Sequence, residues 1–154
     1  MIRSKDLTGI NVMERMSGRR LGKIVCVDYQ PGEKWLRGLV VETGGLRRQK
    51  RYLRREDIWL MGPHVVLASG SLHIMPPHRE VYSDVYTPDG QLWGSIGALW
   101  IDPATAQVAQ AEVRISLMED LAQGCRMVRA AEELAVRGDR VLYQPPEKVS
   151  TERM

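Results

Sequence analysis

The sequence predicts an all-β protein built from two small antiparallel barrels in tandem, with short helical turns between some strands. Three observations predict this class. A pattern of glycines and prolines occurs twice, each copy contains several short strand-like segments, and turn signals separate those segments at regular spacing. The composition, 44% hydrophobic and 27% charged over 154 residues, is typical of a folded globular protein.

The repeat has a constant offset of 72 residues over its first half. A period this long, seen only twice, indicates two small domains rather than a solenoid. The equivalent pairs are Gly18 and Gly90, Gly22 and Gly94, Ile24 and Ile96, and Pro31 and Pro103. The predicted organisation is a first copy over 1–72, a linker over 73–80, a second copy over 81–146 and a tail over 147–154. We expect the two copies to pair within one chain or through a dimer.

Each copy is predicted to begin with a hairpin, because Ser17-Gly18 and Asp89-Gly90 are turn dipeptides between apolar segments. The glycines at 22 and 94 suit a strand that bends or lies close to another backbone. The further strands predicted for the first copy cover 24–29, 35–42, 51–54 and 65–68, with a short helical turn at 56–60. A matching helical turn is predicted at 130–135.

The motif order in the second copy carries a family resemblance. It runs Val85-Tyr86-Thr87-Pro88-Asp89-Gly90-Gln91-Leu92-Trp93-Gly94-Ser95-Ile96 and then Ile101-Asp102-Pro103-Ala104-Thr105. The first copy is similar through Val12, Gly18, Leu21-Gly22-Lys23-Ile24 and Arg55-Glu56-Asp57-Ile58. This order resembles the PRC-barrel domain, shared by the cytoplasmic part of the photosynthetic reaction-centre H subunit and the C-terminal domain of the ribosome maturation factor RimM.

The resemblance implies a small β-barrel that acts as a docking module, and it implies no catalytic residues and no cofactor. The sequence also departs from both relatives. The H subunit has a membrane helix before its barrel, whereas this chain has no apolar stretch long enough to span a bilayer. RimM has a different N-terminal domain where this chain has a second barrel-like copy. The N-terminus lacks an apolar signal core, which predicts a cytoplasmic protein.

Charge is distributed unevenly between the two copies. Residues 1–75 contain 14 Lys and Arg against 7 Asp and Glu, whereas residues 76–154 contain 8 against 12. A basic half attracts phosphate backbones or acidic proteins. It also attracts the acidic half of the same chain or of a second copy.

The densest positive charge lies between residues 47 and 55, which we call the basic run. It contains Arg47, Arg48, Lys50, Arg51, Tyr52, Arg54 and Arg55. Strand alternation would place Arg48, Lys50 and Arg54 on one face. Three interpretations stay open: contact with nucleic-acid phosphates, with Tyr52 stacking on a base; contact with an acidic protein; and solvated charge that pairs with the acidic half of the chain.

The positions of the tryptophans in the sequence predict two roles, packing inside the protein and contact with a partner. Trp93 and Trp100 lie in motif strands and are predicted to pack in the core or between the copies. Trp59 lies in a less regular apolar segment, and an exposed Trp59 would be an interface candidate because tryptophan is enriched in binding hot spots.

No set of residues predicts catalysis or metal binding. His73 and His78 flank a proline-rich linker without the four ligands that a closed zinc site requires. Cys26 and Cys125 are predicted to be reduced, and Cys26 to be a buried apolar residue. The acidic pairs Glu56-Asp57, Glu119-Asp120 and Glu132-Glu133 are not catalytic candidates, and those in the helical turns are predicted to stabilise the turn N-termini.

These observations favour a non-enzymatic adaptor that docks onto an unidentified, acidic protein partner. The alternative is an RNA-associated or ribosome-associated factor that uses the basic first copy. Salt dependence separates them, because binding to phosphates weakens steeply with salt and burial of apolar surface does not.

Overall fold

The first of two β-sheets is formed by the first half of the chain. A computed structural model describes residues 1–77, 82–115 and 124–146. The predicted tail over 147–154, His78 and the Glu119-Asp120 pair lie outside the described residues. The strands of the first sheet are β2 (Asn11–Glu14), β3 (Arg20–Asp28), β4 (Gly38–Thr43), β5 (Gln49–Arg54), β6 (Ile58–Met61) and β7 (Val65–Ala68).

The second sheet takes its strands from the second half of the chain and one strand from the N-terminus. Two four-residue helices, α1 (Ser4–Leu7) and α2 (Ala130–Glu133), and a 3-10 turn (Arg55–Asp57) complete the described elements. The strands of the second sheet are β1 (Ile2–Arg3), β8 (Asp84–Tyr86), β9 (Leu92–Ile101), β10 (Val108–Ile115), β11 (Cys125–Arg129), β12 (Leu134–Arg137) and β13 (Arg140–Tyr143).

The two sheets have the same strand order. The first runs β5-β4-β3-β2-β7-β6 and the second runs β11-β10-β9-β8-β13-β12. Each contains one parallel pair at the equivalent place, β2 with β7 and β8 with β13. Of the predicted all-β architecture, a mostly β protein with two sheets is confirmed, and one sheet curls into a half-barrel. The prediction that the strands are all antiparallel is wrong, because each sheet contains that parallel pair. The strand pairings among the described residues form open paths and do not show either sheet closing into a barrel.

Gly22 and Gly94 lie where a strand crosses its neighbour at close range. A Cβ atom on Gly22 would lie 2.4 Å from the carbonyl oxygen of Glu42, and one on Gly94 would lie 2.4 Å from that of Arg114. Real Cβ atoms do not approach other atoms this closely. The close backbone approach predicted from the repeat is therefore confirmed in both sheets.

The two sheets pack against each other through equivalent loops. Trp35 and Gln107, which are 72 positions apart, form an isolated β-bridge. The amide of Leu36 donates to the carbonyl of Ala106 at 2.9 Å, and the amide of Val108 donates to the carbonyl of Lys34 at 2.9 Å. Each bond is the counterpart of the other under the repeat, so the loops are related by a local twofold axis. Of the two pairings we expected, the structure contains the one within a single chain.

One hydrophobic core extends across both sheets. It includes Leu36 and Leu53 from the first half and Ile101 and Leu134 from the second. Leu7 of α1 joins the same cluster and is fully buried. Burial of this apolar surface supplies the main driving force for folding, so the two halves are expected to unfold together.

The N-terminal segment crosses to the second sheet, which the assignment of residues 1–72 to the first copy does not anticipate. β1 pairs with the end of β9. The Arg3 guanidinium donates to both carboxylate oxygens of Glu112, at 2.6 and 2.8 Å, and the Trp100 indole donates to the same carboxylate at 2.9 Å. Glu112 is the buried charged residue of the described core, and its carboxylate is held by donors from two strands.

Replacement of Glu112 by glutamine is expected to lower the free energy of unfolding at neutral pH. It should also make that free energy less dependent on pH in the acid range. The hydrogen bonds from Arg3 lower the pKa of Glu112 below its ordinary value. A carboxylate with a lowered folded-state pKa contributes stability above its unfolded pKa of about 4.3, and that stability is lost as the pH falls through the folded value. Urea unfolding at pH 7, 5 and 3 measures this, with the exposed Glu132→Gln as control. Equal acid dependence in both variants would contradict it.

Candidate functional site

The basic run extends over three kinds of local structure. Arg47 and Arg48 lie in the loop that joins β4 to β5, while Lys50, Arg51, Tyr52 and Arg54 lie on β5, and Arg55 begins the 3-10 turn. The loop residues and Lys50 are exposed, because this end of the sheet projects beyond the core. The sheet therefore presents a cationic surface at the β4–β5 end.

Tyr52 is buried, so its ring is not available to stack on a nucleic-acid base, as the nucleic-acid interpretation of the basic run required. Its side chain is 6% exposed. The ring lies against Gly38, whose missing side chain leaves the room: a Cβ there would be 2.5 Å from Cζ of the ring. The hydroxyl donates to Asp28 at 2.7 Å, and the backbone pairs with His73. Tyr52 is a packing residue that joins β5 to the segment after β7.

The paired charges of the basic run find their partners within the first half of the chain. Arg54 lies 3.1 Å from Asp57 and 3.5 Å from Glu56, and Arg48 lies 3.9 Å from Glu42. Within the described ranges, no ion pair joins the run to the acidic second half, which was one of the three interpretations. Arg47 and Lys50 form no ion pair in those ranges, although Lys50 lies directly across from Glu42 in the sheet. The run keeps positive charge that is available to another molecule.

Trp59 lies on strand β6, whereas the sequence indicated a helical turn over 56–60; the less regular character predicted for this segment is present as a bulge. The 3-10 turn ends at Asp57, and Ile58 is already extended because β6 pairs with β7. A bulge at Trp59 shifts the register, so that Ile58 faces Ala68 and Leu60 faces Leu67. The extra residue re-aims the neighbouring side chains.

As a result, two consecutive apolar side chains face solvent. Trp59 is 55% exposed and Leu60 is 48% exposed. The Arg15 guanidinium lies over the Trp59 ring, 3.4 Å from its centre. We call Arg15, Trp59 and Leu60 together the Trp59 surface. The exposure that would make Trp59 an interface candidate is present.

The Trp59 surface lies on a sheet edge and belongs to the first copy alone. β6 is the last strand of its sheet, and no described strand pairs with its outer edge. In the second copy the equivalent residues, aligned through Gly62 and Gly138, are Ala135 and Val136. β12 pairs with β13 in four consecutive positions without a bulge. The surface is therefore a local addition to the repeated architecture.

Of the other tryptophans, Trp93 packs against the core as predicted, whereas Trp100 is half-buried outside the core cluster. The Trp93 ring stacks on Tyr143 with ring centres 4.1 Å apart, and Trp100 is held by Glu112. Trp35, at the contact between the sheets, is 41% exposed and has Arg55 5.1 Å from its ring centre.

The remaining candidate residues form no reactive cluster in the part of the chain that the structure describes. No group of three or more His, Cys, Asp and Glu residues there could hold a metal ion. His73 contacts Asp57 at 3.1 Å. Neither Cys26 nor Cys125 forms a disulfide; Cys125 is exposed and Cys26 is only half-buried, so the expected burial of Cys26 is wrong. In α2, Glu133 accepts the Arg129 amide, the turn-stabilising role predicted for this pair.

Sequence reasoning missed two groups of residues. It did not place Arg15 on Trp59. Both residues lie near Ala68, because the Arg15 amide donates to the Ala68 carbonyl and Ile58, next to Trp59, pairs with Ala68. It also did not bring Arg19 and Arg20 towards Arg51, which lies two strands away. If the strand order β3-β4-β5 had been assumed from the repeat, it would have indicated that Arg19 and Arg20 lie near Arg51.

The structure defines the class of this chain as a mostly β protein with two sheets of identical strand order. A scan against models of known protein families finds no match, and a search of curated proteins finds none. No helix in the described part of the chain has the length and apolar character needed to cross a bilayer.

Proposed function

We propose that this protein is a non-enzymatic docking module that binds an acidic, extended protein segment at the Trp59 surface. The observation that carries the proposal is the exposure of Trp59 and Leu60 side by side on a bulged edge strand, beneath the guanidinium of Arg15. Tryptophan and arginine are the residues most enriched in binding hot spots.

The physical basis is burial combined with edge pairing and charge. An extended segment laid along the outer edge of β6 would bond to free backbone groups and cover both apolar side chains. Full burial of a large apolar side chain contributes about 1.5–3 kcal/mol. The excess of basic residues in the first half steers an acidic partner towards this copy. An acidic segment also suits Arg15, which is exposed and lies over the Trp59 ring.

We further propose that the two sheets are tandem PRC-type barrels. Their identical strand order and the equivalent close approaches at Gly22 and Gly94 support this assignment. The docking role suggested by that resemblance is consistent with a surface that carries no catalytic group. The cytoplasmic location predicted from the sequence is part of the same proposal, as is a partner other than a second copy of this chain.

Replacement of Trp59 by alanine is expected to weaken binding of a docked segment by roughly 30-fold or more, because a hot-spot residue contributes about 2 kcal/mol or more. A random peptide library selected on the immobilised wild-type protein supplies the ligands. We expect enriched peptides that combine acidic and apolar residues. The second copy has alanine at the equivalent position, so the substitution is compatible with the fold.

Trp35→Ala is the matched control, since Trp35 is also partly exposed but lies outside the Trp59 surface. It should leave the affinity of the selected peptides unchanged. Selected peptides that bind the Trp59→Ala variant as tightly as the wild type would contradict the proposal.

RNA binding through the basic run is the second candidate, favoured by the absence of ion pairs at Arg47 and Lys50 in the described ranges. Its signature is a steep loss of affinity with salt, in proportion to the phosphates that are neutralised. Replacement of Arg47, Arg48, Lys50 and Arg51 together by glutamate would abolish such binding. Because this change also removes charge that steers an acidic segment, Trp59→Ala is the variant that reports on peptide docking. The burial of Tyr52 removes the stacking contribution from this candidate.

A further inference from the structure

An open pocket in the first sheet gathers three arginines from different parts of the chain. It has a volume of about 260 Å³. Arg19 and Arg20 enter it from the start of β3, and Arg51 enters from β5. Its other lining residues are Leu21, Thr43, Ser71 and Leu72. No acidic side chain lines the pocket among the described residues. We propose that this pocket is a binding site for a phosphate group.

The arginines are oriented by neutral partners, so their charge is not cancelled. The Arg20 Nε donates to the amide oxygen of Asn11 at 3.0 Å. The Arg51 guanidinium donates to the amide oxygen of Gln49 and to the carbonyl of Lys50. An amide oxygen fixes the direction of a guanidinium without neutralising it. Two of the three cations are thereby preorganised while keeping their full attraction for an anion.

Glu14, the acidic residue nearest to Arg19 in the sequence, already accepts two hydrogen bonds from Ser17. The carboxylate of Glu14 accepts the amide of Ser17 at 2.5 Å and its hydroxyl at 2.8 Å, and these bonds lower the pKa of Glu14. Arg19 contributes a smaller part of that effect, and no ion pair between the two groups is formed. The Arg19 side chain therefore has no hydrogen-bonded acidic partner in the described residues.

Phosphate fits this donor set better than a carboxylate does. Three guanidinium groups carry a charge of +3, and a phosphate monoester carries close to −2 at neutral pH with three acceptor oxygens. Guanidinium groups match phosphate oxygens through paired hydrogen bonds. The Ser71 hydroxyl supplies a further donor at the wall, whereas the Thr43 hydroxyl already donates to the Gln49 carbonyl. The volume leaves room for a phosphate together with part of the group that carries it.

The pocket is a feature of the first copy and is independent of the Trp59 surface. Residues 91 and 92, at the offset of 72 from Arg19 and Arg20, are glutamine and leucine. Arg51 pairs with Val41, and Arg126 pairs with the equivalent Val113 in the second sheet. Of the three arginines, the second copy therefore retains a cation only at the position of Arg51. A phosphate ligand would therefore bind at one place per chain, whether or not a protein segment docks at β6.

Isothermal titration with adenosine 5′-monophosphate in phosphate-free, low-salt buffer tests the proposal. Adenosine, which lacks the phosphate, is the ligand control. We expect saturable one-to-one binding of the monophosphate and none of adenosine. Arg51→Gln and Arg20→Gln should each weaken binding roughly tenfold or more, because each removes a charge-assisted hydrogen bond. A short oligonucleotide without terminal phosphates distinguishes a backbone phosphodiester from a monoester as the source of the group.

The matched variant is Arg47→Gln, which removes the same charge from an exposed loop outside the pocket. It should change the affinity less than twofold. Equal weakening by Arg47→Gln and Arg51→Gln would mean attraction to overall charge and would overturn the site, as would an absence of saturable binding by both the monophosphate and the oligonucleotide. Trp59→Ala should leave phosphate binding intact, which separates failure of this site from failure of the docking surface.

Discussion

Replacement of Gly94 by alanine is expected to destabilise the protein by about 3 kcal/mol or more, at or beyond the upper end of the usual overpacking range. The new methyl group would lie 2.4 Å from the Arg114 carbonyl oxygen and 2.9 Å from a methyl of Val113. The obstacle is the backbone of β10, which cannot rotate away as a side chain can. Relief requires β9 and β10 to separate, and these strands form the centre of the second sheet.

Gly97→Ala in the same strand is the control for this prediction. A Cβ at Gly97 would lie 3.5 Å from the nearest atom, an ordinary van der Waals distance. Urea unfolding followed by tryptophan fluorescence should show a large decrease in midpoint for Gly94→Ala and little change for Gly97→Ala. Similar midpoints in the two variants would show that β9 does not cross β10 as closely as described.

Replacement of Leu36 by alanine is expected to cost about 2–5 kcal/mol of unfolding free energy, the range for truncating a fully buried leucine. Leu36 is 1% exposed and lies in the core shared by both sheets, and its amide bonds to Ala106 of the second half. Because it contributes to the contact between the halves, its loss should destabilise both of them. The wild type should unfold in one transition.

Leu46→Ala makes the same chemical change at a fully exposed position and should have an effect within about 0.5 kcal/mol. Two separate transitions in the wild type, with only one shifted by Leu36→Ala, would refute a shared core. Thermal unfolding followed by circular dichroism and by tryptophan fluorescence distinguishes these outcomes, because two probes of one transition coincide.

The features that follow from local rules could be predicted from the sequence. The turn dipeptides at Ser17-Gly18 and Asp89-Gly90 require positive φ at their glycines, and both glycines have it. Gly22 and Gly94 were recognisable because only glycine allows a strand to lie against a neighbouring carbonyl. These positions are constrained by backbone sterics, which a single sequence records directly.

The features that depend on distant partners could not be predicted. Tyr52 is surrounded in the sequence by charged residues, which favours an exposed strand, but Gly38 and His73 bury it. The bulge at Trp59 depends on the register with β7, and the loss of alternation that exposes Leu60 follows from that register. The pairing of Arg3 with Glu112 joins residues that are 109 positions apart in the sequence. Hydrophobic periodicity contains no information about such contacts.

The central claim is that the first copy docks a protein segment at the Trp59 surface. The most direct test titrates one selected peptide and one structured RNA with the wild type and the Trp59→Ala variant at low and high salt. The peptide should bind the wild type, lose roughly 30-fold or more in affinity with Trp59→Ala, and keep most of its affinity at high salt. A peptide affinity that is unchanged by Trp59→Ala, with tight and steeply salt-dependent RNA binding, would contradict the claim.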